Sequence, residues 1–203
     1  MFRDLDETIE QLFITRAPAG SELSGANISF DLPDADWRAG LDTLTVNCYL
    51  YDIRENRDLR TVEPPIQRSA DGTRAVRRRA PVRIDSAYCI TAWSPATDES
   101  VLEEHRLLGQ VLRVLLLHPT IPADVLQGSL ADQVPPYPTV IAAPDGVKNQ
   151  PEFWGALDQQ LKPSLNYVLT LAVSLDESPI EGDMPPVVEE IQVEADDLSL
   201  FSD

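Results

Sequence analysis

Two cysteines, two histidines and two methionines are all that the 203 residues hold of the soft and readily switched side chains. Cys48 and Cys89 are too few for a disulfide framework or a thiolate zinc site. Each sits in a strand-like run, so both are expected to be buried, reduced thiols. No apolar run approaches the roughly 18 residues of a membrane span. The opening segment "MFRDLDETIEQLF" brings acids at once and has no apolar h-region, so no secretory leader is expected and assembly is expected in the cytoplasm. Bases are also scarce: 16 Lys and Arg stand against 34 Asp and Glu, a formal charge of −18. That balance argues against nucleic acid or an anionic membrane as partner of the whole surface. With only nine glycines, the chain shows no Gly-rich phosphate loop, no nucleophile elbow and no paired CxxC. No cofactor and no metal are expected.

The core is well supplied by contrast. Apolar residues make up 43% of the chain, near the globular average. Residues 2–14 place Phe2, Leu5, Ile9, Leu12 and Phe13 at helical spacing among acids. "NISFDL" (27–32) reads as a short strand closed by Pro33. In "TLTVNCYLYDI" (43–53), Leu44, Val46, Cys48 and Leu50 alternate with Thr45, Asn47, Tyr49 and Tyr51, the period of a strand. "VRIDSAYCITAW" (82–93) alternates likewise. A turn, "SPATDES", then offers Asp98 or Ser100 as a helix N-cap. The helix after it presents Leu102, Leu108, Val111, Leu112, Leu115 and Leu116 as an apolar stripe and stops at Pro119. A proline-punctuated stretch (119–151) leads to a short helix at 151–161 and a third good strand, "SLNYVLTLAVSL" (164–175). The order predicts an α+β fold: a mostly antiparallel sheet with the long helix packed on one face.

Charge is distributed unevenly along this framework. Residues 54–83 hold nine of the sixteen bases and four acids, hence +5, whereas residues 176–203 hold ten acids and no base, hence −10. The connection 54–80 is too long to be featureless in a compact domain and reads as a hairpin arm or a mobile loop. The division expected is a domain over 1–178 with the 54–80 arm inserted, followed by an acidic extension over 179–203. Basic arm and acidic tail could pair within a protomer or between protomers.

Candidates for chemistry are few. "EEHRLLGQVLRVLLLHP" (103–119) sets Glu103, Glu104 and His105 side by side. Adjacent helical residues point about 100° apart, so the three cannot converge on one atom. No HExxH spacing is present, and acids in a first turn suit the helix dipole. The trio reads as the solvated start of a packing helix, and no catalytic residues are assigned. Trp37, Trp93 and Trp154 read as core or interface anchors. Arg77, Arg78 and Arg79 lack interleaved aromatics, so a solvated arm or protein dock fits them better than RNA or phosphate. Val188, Ile191 and Val193 keep a short β-like pattern in the tail that could add a strand to a partner's sheet edge.

The succession of pieces carries a resemblance. An N-terminal helix and "FDLP" precede "LTVNCYLYDIRENRDLR". Then come "RAPVRIDSAYCITAWSPATDESVLEEHRLLGQVLRVLLLHP" and "FWGALDQQLKPSLNYVLTLAVSLD". Over about residues 1–176 this resembles the N-terminal domain of the cap, or tail-terminator, proteins of extracellular contractile injection systems, which are phage-tail-like particles. The resemblance implies a phage tail-terminator-like fold and a structural protein, not an enzyme. It implies a homohexameric ring that terminates the inner tube and engages the last sheath ring, with tube protein, sheath protein and itself as partners. It also implies a place in a particle that can be released from the cell. Rival readings are an assembly adaptor or chaperone for a tail component, and the terminator of an ordinary contractile phage tail.

Overall fold

A computed structural model describes residues 1–60, 66–68, 74–77, 80–131, 137–144, 146–175 and 180–183. The chain divides into two compact units, a body drawn from 1–60 and 82–173 and a second unit of which 66–68, 74–77, 80–81, 174–175 and 180–183 are described.

The body is built on a five-stranded sheet with the order β1-β2-β5-β7-β6, where β1 is Asn27–Ser29, β2 Thr45–Glu55, β5 Val82–Trp93, β6 Thr139–Ile141 and β7 Leu165–Val173. The three long strands are the three alternating runs of the sequence. They pair antiparallel, with Cys48 opposite Ile90, and Tyr88 opposite Tyr167. Only β1 runs parallel to its neighbour, β2. A register shift between Leu50 and Asp52 interrupts β2 opposite Tyr88 and Ala87, inserting Tyr51 as an extra residue.

One sheet face carries the main core. Val46, Cys48, Tyr88, Ile90, Ala92, Tyr167, Leu169 and Leu171 meet α1 (Phe2–Arg16) and α3 (Ser100–Leu117) there. Helix α1 buries Leu5, Ile9, Leu12 and Phe13, the predicted stripe, each side chain contributing about 1.5–3 kcal/mol on leaving water. Asp6 of this helix accepts a 2.7 Å hydrogen bond from the Tyr88 hydroxyl, which pins α1 to the sheet. The opposite face is covered by α2 (Ala35–Ala39) and α4 (Gln150–Ala156), which bring Trp37, Phe153 and Trp154 against Cys89 and Trp93. Both helices start on a side-chain cap: Asp34 accepts from the Trp37 amide and Asn149 from the Glu152 amide.

Four expectations need correction. The N-cap of α3 is Glu99, at φ 57° and without a side-chain cap bond, rather than Asp98 or Ser100. The buried stripe of α3 is Glu104, Leu107, Val111, Val114 and Leu115, while Leu102 and Leu116 are 56% and 60% exposed. Leucine or valine occupies so many positions of this helix that its sequence fits more than one face. The second short helix ends at Ala156, because the chain turns through Asp158 at φ 52°. The proline-rich stretch also contains β6, an edge strand three residues long and paired to β7 through Val140 and Val168.

The second unit holds a three-stranded sheet of order β3-β4-β8: β3 is Ile66–Arg68, β4 Arg74–Arg77 and β8 Ile180–Asp183. Within this unit β3 and β4 pair antiparallel, and β8 pairs antiparallel with β4, with Arg74 opposite Asp183 and Val76 opposite Glu181.

Candidate functional site

A dense polar cluster of the body lies where β5 ends and α3 begins. Ser94, directly after β5, is buried. Its amide donates to Glu104 Oε1 at 3.1 Å and its hydroxyl to Glu103 Oε2 at 2.6 Å. Lys162, in the connection between α4 and β7, forms an ion pair with Glu104 Oε2. The same ammonium lies 4.5 Å from the centroid of the Trp93 ring, and the Arg38 guanidinium lies 5.4 Å from it. Arg38 also donates to the Ser94 carbonyl at 2.8 Å. Trp37 packs edge-on against Trp93, 5.4 Å between centroids and 82° between planes.

Each carboxylate of this cluster is therefore already accepting. Glu104 is buried, which corrects the reading of the first turn as solvated; His105 does lie exposed. Desolvation by burial pulls the Lys162 pKa below the usual lysine value, partly offset by its bond to Glu104. The arrangement ties α2, the end of β5, the start of α3 and the start of β7 at one point. Among the described residues no group of three or more His, Cys, Asp or Glu is placed to hold a metal ion. A shallow depression lies beside it, lined by Gln150, Leu161, Lys162, Pro163 and Ser164.

The three tryptophans are packing anchors: Trp93 and Trp154 are buried, and all belong to one aromatic cluster with Phe153. Sequence reasoning missed Lys162 and Arg38 as members of the cluster. A lone lysine between a proline and a leucine gives no signal of a partner 58 residues away.

The residues singled out as an interface lie elsewhere. Arg77 ends β4 and pairs across the strands with Ile66 and Ile180. Arg78, Arg79, Val188, Ile191 and Val193 fall outside the described residues.

Solved proteins share this architecture, two of them as follows. One is the sheath/tube terminator of the extracellular contractile injection system PVC in its extended state, at 22% identity and TM-score 0.60, over 95% of this chain and 65% of that chain. The other is the tube-terminating cap of the anti-feeding prophage, at 24% identity and TM-score 0.58, over 95% of this chain and 61% of that one. The fold is thus that of tube-terminating proteins, and the chain spans less than two thirds of the length of either. No curated protein matches the sequence. The chain belongs to the Pvc16 N-terminal domain family, whose pattern it matches over residues 4–190.

Proposed function

We propose that the chain is a structural cap that closes the inner tube of a phage-tail-like contractile particle and anchors the last ring of its sheath. The observation that carries this reading is a family match over 4–190 combined with a terminator architecture over 95% of the chain. The saturated polar cluster at Ser94 fits a role that is structural rather than enzymatic. The protein acts as a homohexameric ring whose neighbours meet through heterologous contacts that close by rotation. Its partners are the tube protein, the sheath protein and itself, with neither nucleic acid nor membrane. It assembles in the cytoplasm and leaves the cell with the particle.

In this proposal Arg77, Arg78 and Arg79 meet acidic surface on a neighbouring protomer or on the tube. Val188, Ile191 and Val193 supply a strand to the sheath, where main-chain hydrogen bonds provide affinity. Removal of residues 180–203 then abolishes sheath binding while the body stays folded.

The test is tube growth. Tube protein from the same particle is polymerised with increasing amounts of this protein, and lengths are read by electron microscopy. Capping shortens the tubes and leaves a ring at one end; an unchanged length distribution refutes the reading. Light scattering of the ring gives about 135 kDa, six times the 22.5 kDa chain.

A further inference from the structure

Helix α3 turns an unusual strip to solvent. Leu102, His105, Arg106, Gly109, Arg113, Leu116 and Leu117 are all exposed, and their spacing puts them on one side of the helix. No acid lies on that strip, in a chain whose formal charge is −18. Three leucines more than half exposed mark its two ends: Leu102 at 56%, Leu116 at 60% and Leu117 at 66%. Arg106 lies 3.2 Å from Glu22, whereas Arg113 makes no ion pair among the described residues.

Gly109 sits in the middle of this strip. A glycine within a helix costs about 1 kcal/mol relative to alanine. Nothing among the described residues calls for it, since a Cβ built there meets no atom of them within 4 Å. A glycine at such a point lets another helix approach closely.

Helix α1 carries the complement. Arg3, Glu7, Glu10 and Ile14 follow the same i, i+4, i+7, i+11 spacing on its outer side. Ile14 is 61% exposed; Glu7 is ion-paired to Arg3 at 2.9 Å, and Glu10 provides an acid that the α3 strip lacks. We infer that the outer face of α3, centred on Gly109 and Arg113, docks the outer face of α1 from a second copy of this chain. The contact is heterologous, one face on each copy, and so can propagate around a ring. This deepens the ring proposed above, but it is tested without tube or sheath, so its failure and that of tube capping are distinguishable.

The test is self-association of the whole chain, followed by sedimentation and light scattering up to millimolar concentration. Arg113→Glu and Glu10→Arg each weaken association at least about tenfold, and both variants melt close to the wild type because Arg113 is exposed and Glu10 half-buried on the outer side of its helix. Mixing the two variants restores association to within about threefold, because each mixed contact again pairs opposite charges. Only a contact between these two different faces gives that rescue. Gly109→Leu raises the melting temperature through helix propensity yet blocks association. A wild-type chain that stays monomeric throughout overturns the inference, as does a pair of variants that associate normally or fail to rescue each other.

Discussion

Glu104 and Lys162, 58 residues apart in sequence, form an ion pair whose side chains keep only 12% and 15% of their exposure. The pair sits against the Trp93 ring and beside the buried Ser94 amide. A pair so placed contributes little net stability, since desolvation offsets the attraction, but it penalises any structure that leaves one partner alone. Its value lies in specifying how the chain after α4 meets the start of α3.

Replacing one partner should therefore cost far more than replacing both. Lys162→Met leaves the Glu104 carboxylate buried with only the Ser94 amide and should lower unfolding free energy by about 3 kcal/mol. The double variant Glu104→Gln/Lys162→Met, which keeps an acceptor for Ser94, should recover most of that loss. Urea denaturation of the four proteins gives the coupling directly. A double variant as unstable as Lys162→Met would show that the unpaired Glu104 charge is not what the single replacement costs.

Asp4 holds the short 3-10 turn Gly128–Leu130. It accepts from the Ser129 hydroxyl and from the Ser129 amide at 2.9 Å, and these bonds bring its pKa from 3.8 down to about 2. A depressed carboxyl means that the unfolded chain takes up the proton first as pH falls. The contribution is thus fully present above about pH 4 and disappears as pH falls through 2. The stability difference between wild type and Asp4→Asn should shrink across that window, and a difference flat in pH from 4.5 to 2 would contradict it.

Gly128, adjacent to that bond, has φ +52°, and a Cβ there would come 2.6 Å from the Asp4 carboxyl carbon. Gly128→Ala should therefore destabilise by about 2 kcal/mol, through left-handed strain and displacement of the Asp4 carboxylate. Gly25→Ala, where a Cβ meets nothing within 4 Å and φ is not positive, is the control and should be neutral or slightly stabilising. Thermal melts of the two variants decide it.

Much of the fold can be read from the chain because the strands at 45–55, 82–93 and 165–173 alternate cleanly, and alternation survives any tertiary context that buries one face. The facing of α3 cannot be read so directly, since its crowded leucines and valines leave several stripes equivalent until the sheet chooses among them. Edge strand β6 escapes because three residues among prolines acquire strand character only from β7. The Glu104 pair escapes for a related reason: its partner is distant, and a glutamate in a first turn is ordinarily solvated. The arm and tail were legible as opposite charges, but only the register shows that Arg74 faces Asp183.

The thiols offer the most direct check on the two-sided core. Cys48 lies in the main cluster and Cys89 in the aromatic one, on opposite sides of the sheet, and both are free. Burial pushes Cys89 up to about 11 and Cys48 higher still, so neither presents thiolate at neutral pH. With a disulfide reagent at pH 8, the folded protein should react at least about 100-fold more slowly than the chain in denaturant, which should release two equivalents. Cys48→Ser puts an extra hydroxyl at a site with 0% exposure and should cost about 1–3 kcal/mol. If Cys89 alone reacts quickly in the folded protein, α2 and α4 do not cover that face of the sheet, and the second core fails.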